Sequence, residues 1–273
     1  MPAADRSPGG PPRPAPRRGA PGGPRRRTVT VGLLAAVVAL AAALVKGAIG
    51  FGFPTLATPL LTLFLDVKTA VAVLILPNMV MDALQLARRG DVGPTARRFA
   101  SLLASGAVGT VIGTRLLVTL PSALVTLVLG GFLLLFVLLG VARVAPRVRP
   151  GWEWWLSPIV GLIAGAVGGI TNVPGTPLAI YFYALGLTKH QFVGAVAFSF
   201  LVYKAAQLGA TAWYGLLTWP LLGASLALTV AALGGFRVGL RLQDRLEPEA
   251  FNRAVLAFLA ALGAWLVIRG LGS

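Results

Sequence analysis

The chain has 273 residues, 56% hydrophobic and 12% charged, a mean hydropathy of +0.82 and a formal net charge of +16. A soluble domain cannot hide that much apolar surface, and the ten-residue alternating strands of a membrane barrel are missing. With no cysteine and a single histidine, His190, there is no disulfide, no thiol nucleophile and no basis for a histidine or thiolate metal centre.

The sequence therefore predicts an all-α polytopic membrane protein without a cofactor. Its arginines sit in the N-terminal tail and between apolar runs. That pattern points to topology and anionic headgroups, not to nucleic acid.

Residues 1–27 are Pro, Gly, Ala and Arg with almost nothing to bury, which predicts a disordered tail. Arg25–Arg27, beside the first apolar run, predict a cytoplasmic N-terminus. A cleaved signal peptide is the rival, given ALAAA at 39–43, but the apolar stretch continues past Ala43.

Apolar segments follow near 29–49, 53–65, 69–87, 99–118, 122–142, 155–170, 176–187, 191–210, 216–236 and 251–268. Most have the length for a roughly 30 Å hydrocarbon core. The segments at 53–65 and 176–187 are too short to span easily, and both follow Gly/Pro breaks. The expectation is about eight transmembrane helices plus two short broken or re-entrant pieces.

The chain also resembles itself. GTVIGTRL (109–116) matches GFRVGLRL (235–242), DALQLA (82–87) lies over KAAQLG (204–209), and KGAIGFGFP (46–54) lies over AGAVGGITNVP (164–174) with two extra residues in the second copy. Matches in one consistent order predict two internal repeats, 28–150 and 151–273.

A break at equivalent places in two repeats points to a transport site. Freed backbone groups cost several kcal/mol each if they face lipid, so they are kept where protein or a wet cavity covers them. A helix restarting after the break offers free N–H groups and its positive dipole end, and Pro54 and Pro174 suit a first helical turn. Two such ends would cradle an anion. The competing explanation is close helix packing through small residues.

Charged side chains inside the membrane are expensive and mark function by default. Lys46 and Lys204 are the cations within apolar segments, and Asp82 is the anion. Lys46 has snorkelling as its structural alternative. Lys204 has an ion pair with Asp82, and Asp82 has a pairing with Arg88 or Arg89. Asn78, Gln85, Thr171, Asn172, Thr176 and Gln207 could hydrogen-bond an oxyanion or join helices. Asp82 is also the candidate for ion coupling. His190, Lys68 and Lys189 read as interfacial and non-catalytic, and Arg115 and Arg241 as anchors.

The glycine-rich break, the run PTLATPLLTLFLDVKTAVAVLILPNMVMDALQLARRGDV and the second copy GAVGGITNVPGTPLAIYFYALGLTKHQFVGAVAFSFLVYKAAQLGATAWYGLL together resemble the sulfite exporter TauE/SafE family, over roughly residues 30–270. The resemblance implies transport of sulfite, sulfoacetate and related sulfonates. It places the family's third-segment Asn on Asn78 and its glycine signatures on Gly47, Gly50 and Gly52, and on Gly165, Gly168 and Gly169. Phe51 and Phe53 depart from it by interrupting the first glycine run.

The arginine-rich stretches 88–98 and 143–150 are both expected in the cytoplasm. With a cytoplasmic N-terminus this gives four crossings and a re-entrant piece in the first half, while the second half prefers five. Charge alone leaves the relative direction of the repeats open.

The expected function is a plasma-membrane transporter or exporter of small anions, sulfite, sulfonates or related organic anions, bound at the meeting point of the two Gly/Pro-broken helices, with Lys46, Gly50, Gly52, Asn78, Gly168, Gly169, Thr171, Asn172, Thr176, Lys204 and Gln207 as binding residues. An anion channel and a scaffold without flux are the alternatives. The expected partners are the anion and the bilayer, with room for a homo-oligomer. No HExxH motif, paired aspartates or phosphate loop suggests an enzyme, and Ser199 and His190 are not placed as a catalytic pair.

Overall fold

The computed structural model describes residues 24–88, 93–142, 147–149, 151–242 and 248–272. The expected tail lies outside these residues except for its last turn, because α1 (Pro24–Ile49) already starts at Pro24. α1 ends at Gly50 and Gly52, whose φ angles of 98° and 99° suit glycine alone. α2 (Phe53–Leu61) restarts with Pro54 in its first turn.

α3 (Val67–Val73) is capped by the Asp66 carboxylate, which accepts from the Lys68 N–H, and with α4 (Ile75–Ala87) it makes one apolar span. Short α5 (Gly93–Arg98) leads to α6 (Ala100–Thr119) and α7 (Ser122–Ala142). α8 (Glu153–Thr171) stops at Asn172, which takes a left-handed φ of 69°, and α9 (Gly175–Ala184) restarts after Pro174. α10 (Lys189–Trp213), α11 (Trp219–Leu242) and α12 (Pro248–Leu271) complete the chain.

Among the described residues, seven spans are long and apolar enough to cross a bilayer, and Leu259–Leu271 in α12 is a shorter apolar stretch. The chain is thus an all-α polytopic membrane protein. α2 and α9, with 9 and 10 residues, reach about 15 Å at most, half of the hydrocarbon core.

The direction of each helix follows from its contacts. α6 and α8 run parallel: a Cβ added at Gly165 would lie 2.0 Å from Gly106 O, and one at Gly113 would lie 2.1 Å from Ala166 O. α1 and α11 run parallel in the same way, with Gly235 against Leu40 O and Gly239 against Leu44 O. Gly109, Gly113, Gly235 and Gly239 are the glycines shared by the two matching octapeptides. They let backbones touch, as small residues do between membrane helices. α7 and α12 are antiparallel, with Gly140 against Leu256 and Gly270 against Leu127.

Each short helix turns back towards where its long partner began. The Val148 N–H, just before α8, donates to Ala184 O at the end of α9 (3.0 Å). Arg98 at the end of α5 pairs with Glu153 at the start of α8 (2.8 Å). These contacts define an arginine-loop end of the bundle.

At the far end, Arg269 of α12 donates to Thr62 O beyond α2 (2.5 Å), and Lys68 donates to Val118 O (2.8 Å). α10 therefore leaves the arginine-loop end and α11 returns to it. α1, parallel to α11, enters from the far end. Each half holds one helical hairpin and three through-crossings: α3–α4, α6 and α7 in the first, α10, α11 and α12 in the second. The start of α1 and the two arginine-rich connections thus lie at opposite ends. The expectation that all three face the cytoplasm fails, because α2 turns back to the end where α1 starts, so α1 and α2 together make no net crossing.

The outer surface is apolar. Val29, Leu33, Val37, Leu138 and Val230 are exposed, as lipid-facing residues are. Trp213 and Trp219 are exposed at the far end and Trp154 at the arginine-loop end, where tryptophan suits the interfaces.

Candidate functional site

The last turn of α1 carries Lys46, which is wholly buried, so it does not snorkel. Its Nζ donates to Asp82 Oδ1 (2.5 Å) and to Asn78 Oδ1 (2.9 Å). Asn78 and Asp82 lie four residues apart and so share a face of α4. Gln85, a turn further on, donates from Nε2 to Gly50 O (2.8 Å). The carbonyl set free by the first break is thereby satisfied without water. Asp82 pairs with Lys46, not with Arg88 or Lys204, and Arg89 lies outside the described residues.

A second buried lysine stands beside the second break, with different partners. Lys204, buried on α10, donates to Asn172 Oδ1 and to Gln207 Oε1 (2.5 Å). Gln207 Nε2 reaches Gly168 O (3.3 Å) and Gly169 O (3.2 Å). Gln85 and Gln207, aligned in the sequence comparison, each hold carbonyls at a break. Asn172 does two jobs: its backbone takes the left-handed turn, and its Nδ2 donates to Thr58 Oγ1 on α2 (3.1 Å), joining the halves.

The breaks themselves sit at different depths. Gly50 lies against Val193, and Gly168 and Gly169 lie against Gln207. Fourteen residues of α10 separate the two places, about 21 Å along its axis. The side chains between the breaks come closer together. Lys46 Nζ is 5.7 Å from the centre of the Phe200 ring, and Phe200 is one turn from Lys204 on the same helix. A Cβ added at Gly175, at the start of α9, would lie 3.4 Å from that ring. Neither Phe200 nor Thr58 stands out in the sequence, since an apolar ring and a threonine in apolar helices carry no signal of their own.

The glycines divide by role. Gly50 and Gly52 provide positive φ. Gly47 packs on the α11 backbone and Gly169 on that of α6, so packing explains part of the glycine signature. Gly168 makes room for Pro174, whose Cβ an added Cβ would meet at 2.7 Å. Thr171 caps its own helix, donating to Val167 O (2.7 Å) and accepting from the Val173 N–H (3.2 Å). Thr176 is buried in the first turn of α9. A cleft of about 40 Å³ opens at the first break, lined by Ile49, Phe51, Gly52 and Thr55 among others.

Two features decide what the centre can do. Its buried charges are two lysines and one aspartate, and Lys204 is held by neutral oxygens only. Asn78 Nδ2, Asp82 Oδ2 and Gln85 Oε1 are buried without a hydrogen-bond partner. Among the described residues no cluster of His, Asp or Glu is arranged to hold a metal.

Comparison with curated proteins and with solved structures gives no match. Residues 34–266, nearly the whole chain, match the family described as Sulfite exporter TauE/SafE; the chain belongs to that family and is a multi-pass membrane transporter.

Proposed function

We propose that the chain moves sulfite, sulfonates or related small organic anions across the plasma membrane, binding them beside Lys204 with Lys46, Asn172 and Gln207 nearby. The observation that carries this is the unmatched buried charge. Lys46 and Lys204 face a single carboxylate, which leaves +1 in the middle of the protein. An uncompensated buried ion costs several kcal/mol, and a bound anion removes that cost. The sulfur-oxyanion class is supported by the family.

Lys204 spends two of its three ammonium donors on Asn172 and Gln207 and keeps one for an anion, and α9 starts close by at Gly175, where free N–H groups favour negative charge. The glycines Gly50, Gly52, Gly168 and Gly169 shape the breaks rather than touch the anion through side chains. Asn78 and Thr176 stand around the centre, and Thr171 is occupied within its own helix.

In this reading the two halves are inverted duplicates. The parallel pairs α1–α11 and α6–α8 each join a broken helix of one half to a helix of the other. Rocking of these pairs would open the centre to each side in turn. The enclosure of both lysines, 0% and 1% exposed, favours such alternating access over an open pore. With the cell interior negative, the membrane potential supplies about 2.3 kcal/mol per charge per 100 mV for anion export.

The test is sulfite and sulfonate flux in proteoliposomes holding the full chain. Slow, saturable flux that falls in Lys204→Ala and Lys46→Ala is expected. Unchanged flux in both variants removes the lysines from the site, and single-channel currents replace the transporter with a channel.

A further inference from the structure

We infer that Asp82 is a proton-binding counter-ion that sets the charge of anion the site carries: a dianion travels with a proton on Asp82 Oδ2, and a monoanion travels without one. This rests on the anion reading above. Asp82 Oδ1 is taken by Lys46, whereas Oδ2 is buried and bare. Gln85 Oε1 lies three residues on along the same helix and is also bare. Asn78 Nδ2, four residues back on the same helix, is an unused donor that reaches neither oxygen, and a bare buried acceptor is costly. A proton on Oδ2 removes the negative charge of that bare oxygen and turns it into a donor.

The charge count changes with it. With Asp82 ionised, the lysines leave +1 at the centre, which one monoanion neutralises. With Asp82 protonated, Lys46 loses its counter-charge and the centre holds +2, which matches a dianion. The proton enters from water on the side where the anion enters. It leaves on the other side with it, so no oxidant, reductant or further reactant is needed.

The charged and titratable groups around Asp82 are few among the described residues. α1 contributes Lys46 and α10 contributes Lys204. Tyr203 on α10 donates its hydroxyl to Leu102 O, away from α4. His190 is at the other end of α10, about 21 Å from Lys204 along the axis. Arg237 and Arg241 of α11 are exposed, and Lys68 of α3 is bound to Val118 O. Lys46 and Lys204 are thus the groups whose charge Asp82 feels.

The test uses the full chain in proteoliposomes with a trapped pH dye and two probes whose charges do not change near neutral pH: sulfoacetate, a dianion, and methanesulfonate, a monoanion. The expected result is about one proton moved with each sulfoacetate and none with methanesulfonate. In Asp82→Asn, which mimics the protonated acid in shape and charge, the proton-to-sulfoacetate ratio should fall to about zero, and in Asp82→Glu it should return towards wild type.

Sulfoacetate flux without proton movement in the wild type, or proton-linked flux persisting in Asp82→Asn, overturns the inference and leaves the anion reading standing. If Asp82→Asn does not fold, the wild-type comparison of the two probes decides alone. No flux of either anion overturns the anion reading itself, and this inference with it.

Discussion

At the residue scale, the centre is defined by what each lysine is paired with. Lys46 has a carboxylate, and Lys204 has only the amide oxygens of Asn172 and Gln207. Losing one partner of a buried charge pair costs about 2–5 kcal/mol. Lys204→Met should therefore weaken anion binding about 30-fold or more, read as a rise in the half-saturating anion concentration in proteoliposomes. Lys204→Arg should not restore it, because a planar fork does not fit where a compact ammonium sits.

Asn172 permits a separation of roles. Asn172→Ala loses two side-chain hydrogen bonds and also the short polar side chain that lets asparagine tolerate φ 69°, in a left-handed region that costs other L-residues roughly 1–2 kcal/mol. Asn172→Gly loses only the bonds. The glycine variant should melt at a higher temperature in detergent than the alanine variant, while both lose flux. Equal melting would mean that the left-handed turn is not what Asn172 provides. The sequence marks Lys46, Asn78, Asp82, Lys204 and Gln207 as unusual, because polar groups in apolar runs announce themselves. It does not say which carboxylate serves which lysine, since Asp82 stands 36 residues from Lys46 and touches it only once α1 and α4 are packed.

At the scale of elements, the two kinds of glycine have different consequences. At the seams, a Cβ on Gly113 would lie 2.1 Å from Ala166 O and one on Gly239 would lie 2.1 Å from Leu44 O. Both obstacles are backbone and cannot rotate away. Gly113→Leu should destabilise the protein by about 1–3 kcal/mol or more, seen as earlier thermal unfolding in detergent. Gly131→Ala, at a helical position where an added Cβ meets nothing within 4 Å, should hold or raise stability by up to about 1 kcal/mol. Equal losses in both variants would remove the seam argument.

The breaks were legible as elements because positive-φ glycine and first-turn proline are local chemistry. Their depth was not. The sequence suggests two ruptures meeting in the middle, whereas the packed helices set them far apart along α10 and bring side chains together between them. That offset follows from the inverted direction of α1 and α8, which no local signal encodes.

At the scale of the whole molecule, the hairpins decide the topology. α1 and α12 both have their outer termini at the far end, and the connections carrying Arg98 and Arg147 lie at the other. Because the chain has no cysteine, single-cysteine variants are clean reporters. Thr28→Cys and Thr218→Cys should react with a membrane-impermeant maleimide from one side of the membrane, and Arg147→Cys from the other. Labelling of all three from one side would overturn this arrangement.

Composition, span lengths, the two breaks and the polar residues inside apolar runs were determined by the sequence alone, because each depends on residues near in the chain and on the simple cost of placing them in lipid. Helix direction, the pairing of Asp82 with Lys46 and the uncompensated state of Lys204 were decided only by the tertiary structure. Those depend on which helices lie side by side, and the parallel glycine seams between opposite halves settle that through backbone contact that charge and hydropathy do not register.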